Sequence, residues 1–571
     1  MTDRVIPASA PAGASGDPAI EPSVRILPLG GLGEIGLNMM LLESGEDLLA
    51  VDCGLMFPDD EMPGVDYVIP DFSPLLAKRA QVRGVILTHA HEDHIGALPY
   101  LLRELDVPVY GPRMALALAG ERLREHGLHD RARLVPVEPR RAFDVGGFRV
   151  EPIRVTHSVV DGLGYGIETP VGTLVHTGDF KFDPHPLDGE RSDYHRLAEL
   201  GERGVLCLMA DSTNVDRPGT TPPEQEVGRA LADRIRRAPG RVIVATFASH
   251  VHRIQQVLDL AVGFGRKVAL LGRSMETSVR LAAELGYLRV PDGALLPLEE
   301  LSALPPYRQV IISTGSQGEP NSALALMAAA EHKYLQVGQG DLVILSARVI
   351  PGHERTITRL VNRLLRQGAE VLWEGVAFVH VSGHASRDEL KLMLSLVRPQ
   401  FFVPVHGEYR HLQAHARLAQ EVGLPAEHAF VIEDGEGLEL TKTSARVLAR
   451  VPLARVLVDG KGVGDVGAVV LRDRQLLAED GMVVVAVTVD RATGRVVAGP
   501  EIVSRGWVYE REAEAVLEEA KAALRDALAA EGADVPLERD ALVTLLRGTL
   551  RRFISQRYDR KPIVLPIVLD A

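Results

Sequence analysis

The run Thr88-His89-Ala90-His91-Glu92-Asp93-His94 places three imidazoles and two carboxylates within six residues, directly after the apolar stretch Val85-Ile86-Leu87. Val85 to Leu87 reads as a short buried strand. His89 and His91 then leave its end on one side, and Asp93 and His94 follow in the turn into Ile95-Gly96. Imidazole suits zinc, and carboxylate suits zinc or manganese. A tight cluster of both at a strand end is the donor set of a hydrolytic metal site.

Further donors stand in the same kind of place. His157 follows Ile153-Arg154-Val155-Thr156, Asp179 closes Val175-His176-Thr177-Gly178, and Asp52 follows Leu49-Ala50-Val51. His384 lies in Val381-Ser382-Gly383-His384-Ala385-Ser386, and His406 in Val403-Pro404-Val405-His406-Gly407-Glu408. Each alone is an ordinary polar residue in a loop. Repeated at strand ends, they are how a layered fold gathers a site along one edge.

The elements that must position them fall into blocks. Residues 1–22, rich in Ala, Pro, Gly and Ser, read as a disordered tail without the basic start and apolar stretch of a signal peptide. Residues 23–220 alternate short strands with turns and some helices, an α+β layering. Residues 221–370 change to helix–strand alternation with Gly turns, which reads as a parallel α/β unit. Residues 371–445 return to strands and His-bearing loops, 446–460 connect, and 461–571 carry strands and two helices, roughly Glu510 to Ala530 and Leu537 to Ser555.

Composition sets bounds. At 571 residues several domains are expected. An apolar fraction of 46% and a charged fraction of 25% are ordinary for a globular protein. Cys53 and Cys207 are the only cysteines and sit in apolar runs, so no disulfide framework and a reducing, cytoplasmic setting are expected. No segment reaches the ~20 apolar residues that span a bilayer, so no membrane partner is expected. The net charge of −14 weighs against a nucleic-acid partner. A bound metal pair, however, adds about four positive charges where they count.

Gly31-Leu32-Gly33-Glu34-Ile35-Gly36, with Asp52 downstream, has the spacing of a dinucleotide fingerprint. A helix should follow it. Instead Leu37 to Leu42 and Leu48 to Val51 flank Ser44-Gly45-Glu46-Asp47, which reads as a hairpin and removes the nicotinamide reading.

With these residues in view, the chain resembles the metallo-β-lactamase superfamily, more narrowly the β-CASP nucleases, and among them the ribonuclease J family. The likeness spans nearly the whole chain. It includes Gly30-Gly31-Leu32-Gly33-Glu34-Ile35-Gly36, the run Thr88 to Gly96, Asp211-Ser212-Thr213-Asn214, Thr314 to Pro320, Ser382 to Ser386, and Pro404 to Tyr409. The first metal motif alone fits a glyoxalase II-type thioesterase or a lactamase equally well; the inserted α/β unit and the late His motifs narrow it.

The resemblance implies a metallo-β-lactamase αββα sandwich (23–220 and 371–445), an inserted β-CASP α/β domain (221–370) and a small α+β C-terminal domain. It assigns His89, His91 and His157 to one zinc or manganese, Asp93, His94 and His406 to a second, and Asp179 to both, with Asp52 orienting ligands. Asp93, Asp211 and His384 take catalytic roles, and His380, Val381, Ser382, Gly383, His384 and Ser386 the grip on substrate phosphate. Gly64 and Asp66, joined by Asp459, would form a structural calcium site; by composition alone the loop Asp59 to Asp66 reads as a solvated charge run. The departure is His353 in Ser346 to Glu354, where Asn is expected.

The implied activity is hydrolysis of single-stranded RNA, 5′→3′ from 5′-monophosphate ends and also internally, in RNA processing and decay. Alternatives are a small-molecule thioester or lactam hydrolase, a non-catalytic RNA-binding subunit, and a DNA nuclease on the same scaffold. Partners from an RNA-decay complex and a homodimer or homotetramer belong to the resemblance. The last helix, with Arg547, Arg551, Arg552, Arg557, Arg560 and Lys561 beside Phe553, Ile554 and Tyr558, is expected at a subunit contact.

Overall fold

The computed structural model describes residues 21–59, 61–350, 353–507, 510–531 and 538–571. The first twenty residues of the expected tail lie outside them. The chain divides into two units, residues 1–56 with 69–455, and residues 57–68 with 456–571.

The first unit is built on two facing sheets. One has eight strands in the order Ala445–Val447, Leu438–Leu440, Val24–Gly30, Met39–Ser44, Asp47–Val51, Val82–Ile86, Val109–Gly111, Leu134–Pro136. The other has six, from Pro399–Val405 through Val205–Asp211, Gly172–His176, Leu163–Thr169 and Phe148–Arg154 to Phe143–Val145. Ile26, Leu42, Leu49 and Ile86 of the first meet Phe148, Tyr165, Leu174, Cys207 and Phe401 of the second in one buried core. Helices Tyr194–Arg203, Arg387–Val397 and Tyr409–Glu421 cover the outside of the second sheet through Leu197, Leu390 and Leu418. Helix Arg113–Glu125 packs on the edge strands of the first. The layering is αββα.

The glycine-rich segment leads into a hairpin, not a helix: Met39–Ser44 pairs antiparallel with Asp47–Val51, Ser44 facing Asp47 across the turn. Gly54 explains one close approach nearby. A Cβ there would lie 1.6 Å from the Asp93 carbonyl oxygen, so only glycine lets the two chains meet.

Between Val205–Asp211 and Pro399–Val405 the chain leaves to form a five-stranded sheet, ordered Lys267–Leu271, Gln309–Ser313, Val242–Ala245, Leu342–Leu345, Glu370–Leu372, every pairing parallel. Near-continuous apolar strands such as Val310-Ile311-Ile312 suit a sheet covered on both faces. Its last strand runs through the expected boundary at 370 to Leu372.

In the second unit, Val496–Arg505, Met482–Val489 and Ile563–Asp570 form a sheet. Helices Glu510–Glu531 and Arg539–Tyr558 pack on one face through Leu524, Leu546, Leu550 and Ile554. The last helix therefore spends its apolar side in its own core. Arg557 pairs with Glu519, and Arg560 donates to the Trp507 carbonyl. Val497, Val503, Leu565, Ile567 and Leu569 on the strands are instead exposed.

Candidate metal centre

Strand ends from both sheets converge on one edge. His89 and His91 follow Val82–Ile86, and Asp93 and His94 lie in the one-turn helix Glu92–Ile95. His157 follows Phe148–Arg154, Asp179 follows Gly172–His176, Asp211 ends Val205–Asp211, and His406 follows Pro399–Val405. The structure brings all of them together. Their ligand atoms form three sets, each within 4.8 Å: His89, His91, His157 and Asp179; Asp93, His94 and His406; and Asp179, Asp211, His384 and His406.

Asp179 joins the sets. Its Oδ2 lies 3.6 Å from His89 Nε2, 3.3 Å from His94 Nε2, 3.9 Å from His157 Nε2 and 3.7 Å from His406 Nε2. Asp93 Oδ2 stands 3.4 Å from His406 Nε2 and 3.7 Å from His94 Nε2. His91 Nδ1 is 3.0 Å from His89 Nε2 and 3.2 Å from His157 Nε2. Three imidazole nitrogens turned toward one point suit a shared cation, and the donors match a zinc- or manganese-type ligand set.

The far side of four of the rings is fixed. His94 Nδ1 donates to Asp52 Oδ2 at 2.7 Å, and His157 Nδ1 to the Gly383 carbonyl at 2.8 Å. Thr88 Oγ1 lies 3.0 Å from His89 Nδ1, and Thr213 Oγ1 lies 2.6 Å from His406 Nδ1. In each case Nε2 is left for a ligand. Asp52 also accepts the Thr88 N–H and hydroxyl, at 2.7 and 2.8 Å. Asp52 and His406 both hold left-handed backbone, φ 60° and 53°. Such strain in non-glycine residues gathers at functional sites.

Burial keeps His89, His91 and His157 neutral, His91 down at about 4, as metal ligands must be. Burial would raise the carboxyls of Asp93 and Asp179, yet the surrounding histidines hold both below the usual carboxylate range. Against burial, Asp179 and its fellow carboxylates raise His94 and lift His406 to about 10. The carboxylates draw positive charge to this spot, and a divalent cation supplies it more compactly than protons do.

The segment His380 to Ser386 runs beside the cluster. His384 Nδ1 bonds Asp211 Oδ2 at 2.8 Å. Gly383 packs on His157, where a Cβ would lie 2.6 Å from Cε1. Ser382 Oγ accepts from Asn214 and from the His384 N–H, and Ser386 caps helix Arg387–Val397. Val381 is buried, and His380 is half-buried next to Arg253 and Lys181, its pKa well down through desolvation and those charges. Neither side chain belongs to the ligand sets.

Three supporting residues have no role assigned from sequence. Asn38 donates to the Asp93 carbonyl at 3.1 Å and to its carboxylate at 3.3 Å. Its one signal is an amide within an apolar hairpin strand. Thr213 and Asn214 stand inside a motif whose aspartate alone drew attention; Asn214 Nδ2 also reaches the His384 carbonyl at 3.1 Å.

Gly64, Asp66 and Asp459 fit a calcium ion poorly, because an arginine holds that place. The Arg474 guanidinium is ion-paired with Asp459, donates to the Pro63 carbonyl, and lies 2.9 Å from where a Gly64 Cβ would be. Asp66 Oδ2 accepts the Gly460 N–H.

Comparison with known proteins agrees with this geometry. Residues 32–245 match the metallo-beta-lactamase superfamily, and 369–431 match a Zn-dependent metallo-hydrolase RNA specificity domain. A solved structure of a protein of unknown function from Enterococcus faecalis V583 shares the fold, with TM-score 0.50 and 16% identity over 73% of this chain and all of that one. Fold and site thus define a metallo-β-lactamase-type hydrolase with a β-CASP insertion. Residues 239–364 match the ribonuclease J beta-CASP domain, and 469–571 the ribonuclease J C-terminal domain. The chain is 43% identical over 567 residues to ribonuclease J of Thermus thermophilus (98% of this chain, 97% of that one). It is 39% identical over 548 residues to ribonuclease J2 of Bacillus subtilis (96% and 99%). It belongs to the ribonuclease J family.

Proposed function

We propose that this metal-dependent ribonuclease degrades single-stranded RNA 5′→3′ from 5′-monophosphate ends, cuts internally as well, and serves RNA processing and decay in the cytoplasm. The supporting observation is the junction of the ligand sets at Asp179 with the Asp211–His384 pair beside them. Two zinc or manganese ions held by His89, His91, His157, Asp179, Asp93, His94 and His406 would clamp the scissile phosphate and ease ionisation of the attacking water.

The protein's own groups do the rest. With Nδ1 held by Asp211, His384 keeps Nε2 for the leaving 3′ oxygen and delivers a proton there. Burial pushes the Asp211 carboxyl up, but His384 and His406 hold it below its usual range, so it stays an anion. The loop around Ser382 and Gly383, pinned by Asn214 and His157, grips the terminal phosphate. The products are a 5′-monophosphate and a shortened RNA.

No helix among the described residues is long and apolar enough to cross a membrane. Self-association as a dimer or tetramer would cover the exposed strand residues of the second unit, which light scattering of the purified chain would measure. Calcium is not part of the proposal, since Arg474 already neutralises Asp459.

The deciding assay follows a 3′-labelled, 5′-monophosphate RNA beside matched DNA and 5′-hydroxyl RNA, with protein stripped and reloaded with zinc or manganese. Stepwise mononucleotide release from the phosphorylated RNA alone supports the proposal. No RNA cleavage with any metal, alongside turnover of a thioester or lactam, replaces it with a small-molecule hydrolase; equal cleavage of DNA removes the RNA preference.

A further inference from the structure

Helix Glu354–Arg366 of the inserted sheet is sharply two-sided. Ile357, Leu360, Val361 and Leu364 are buried against that sheet. At the helical repeat, Arg355, Arg359, Arg363 and Arg366 fall together on the opposite face, and all four are exposed. The ridge is about 16 Å long at the helical rise.

Its charge is uncompensated. After Glu354 the helix contains no acidic residue, and none of the four arginines forms an ion pair with a described carboxylate. Elsewhere in the same domain Arg236 and Arg237 are both tied to Asp233. In a chain of net charge −14, a line of four free guanidinium groups stands out as a surface for an anion.

The ridge also begins in the right place. The helix follows strand Leu342–Leu345, and ligands of open parallel sheets gather at strand C-terminal ends. The connecting loop is bonded toward the catalytic segment. Ser346 Oγ donates to the Val379 carbonyl at 2.7 Å, and Arg348 donates to Asn214 Oδ1 at 3.0 Å. Asn214 in turn holds Ser382 and the His384 carbonyl. Arg348, six residues before the helix begins, is thus joined through Asn214 to the loop beside the ligand sets.

We propose that Arg355, Arg359, Arg363 and Arg366 form a second RNA-binding surface that holds the phosphate backbone of the strand extending beyond the catalytic cleft. The proposal rests on the ribonuclease reading above. Phosphates repeated along a single strand match guanidinium groups repeated along a helix, and such contacts are independent of base sequence.

The test uses the full chain with all four arginines changed to Gln, beside a second variant with all four changed to Lys. A third variant, Arg236→Gln with Arg237→Gln, controls for loss of positive charge elsewhere on the same domain. Substrates are a short and a long unstructured 5′-phosphorylated RNA. The Gln variant should raise KM for the long RNA about tenfold and flatten the salt slope of its log affinity by about 2.8, near 0.7 per lost contact. Its kcat, and its KM for the short RNA, should stay at the parent values. The Lys variant and the control should keep the parent salt slope. An unchanged slope and KM for long RNA in the Gln variant overturns the ridge. If the parent protein cleaves neither RNA, the ribonuclease reading fails and the ridge fails with it.

Discussion

His384 Nδ1 and Asp211 Oδ2 lie 2.8 Å apart, and the carboxylate is almost wholly buried. The pair leaves one nitrogen of His384 for a reacting group. His384→Ala should lower kcat by about 100-fold or more, the usual range for losing a positioned proton donor. Metal content, measured by elemental analysis, should not change. A phosphodiester with an acidic aryl leaving group needs no donated proton, so its turnover should survive the substitution. Equal loss on both substrates would remove His384 from that role.

Asp179 Oδ2 lies within 4 Å of His89 and His157 on one side and of His94 and His406 on the other. Asp179→Ala should strip the protein of both ions, whereas His94→Ala should lose one. Chelation of the parent protein should abolish cleavage, and zinc or manganese should restore it. Elemental analysis with circular dichroism checks that loss of metal, not of fold, is responsible.

Arg474 stands on Asp459 beside Gly64. A calcium-selective chelator should therefore leave the Tm of the parent protein unchanged. Arg474→Ala should lower Tm, because Asp459 loses its counter-charge, and added calcium should recover part of the loss. A parent Tm that falls on calcium removal would show that the ion displaces the arginine.

Asp434 accepts the Leu32 N–H at 3.1 Å, and burial and the Glu34 carboxylate push its pKa up to about 8 from 3.8. The folded chain keeps a proton that the unfolded chain releases. Its contribution to stability is complete below pH 3.8 and is lost as pH rises through about 8. Asp434→Asn keeps an acceptor for Leu32 and has no such titration. The Tm of the variant minus that of the parent should grow between pH 5 and about pH 8; a constant difference in thermal melts would refute the shift.

The clustered donors were legible because most follow a short apolar strand, and strand ends meet at one edge of a layered fold. His406 and Asp179 carry that pattern as clearly as His89 does. The hairpin after Gly36 was legible from its turn chemistry, which outweighed the dinucleotide spacing. Asn38, Thr88 and Thr213 were not, because their work depends on which ring faces them across the sheets. Arg474 was hidden for the same reason: it is distant in sequence from Pro63 and Gly64 and adjacent only after folding. The last helix was legible as amphipathic, and its leucines pack within its own unit while Arg557 pairs with an acidic neighbour, Glu519.

Strands Val205–Asp211 and Pro399–Val405 are hydrogen-bonded neighbours, Asp211 opposite Val405, although the whole insertion is spliced between them. The donor cluster is therefore divided along the chain: His89, His91, Asp93 and His94 are synthesised early, and His406, which lies with Asp93 and His94 in one set, only after the whole insertion. The donor cluster is complete only in a chain that carries both sides of the insertion.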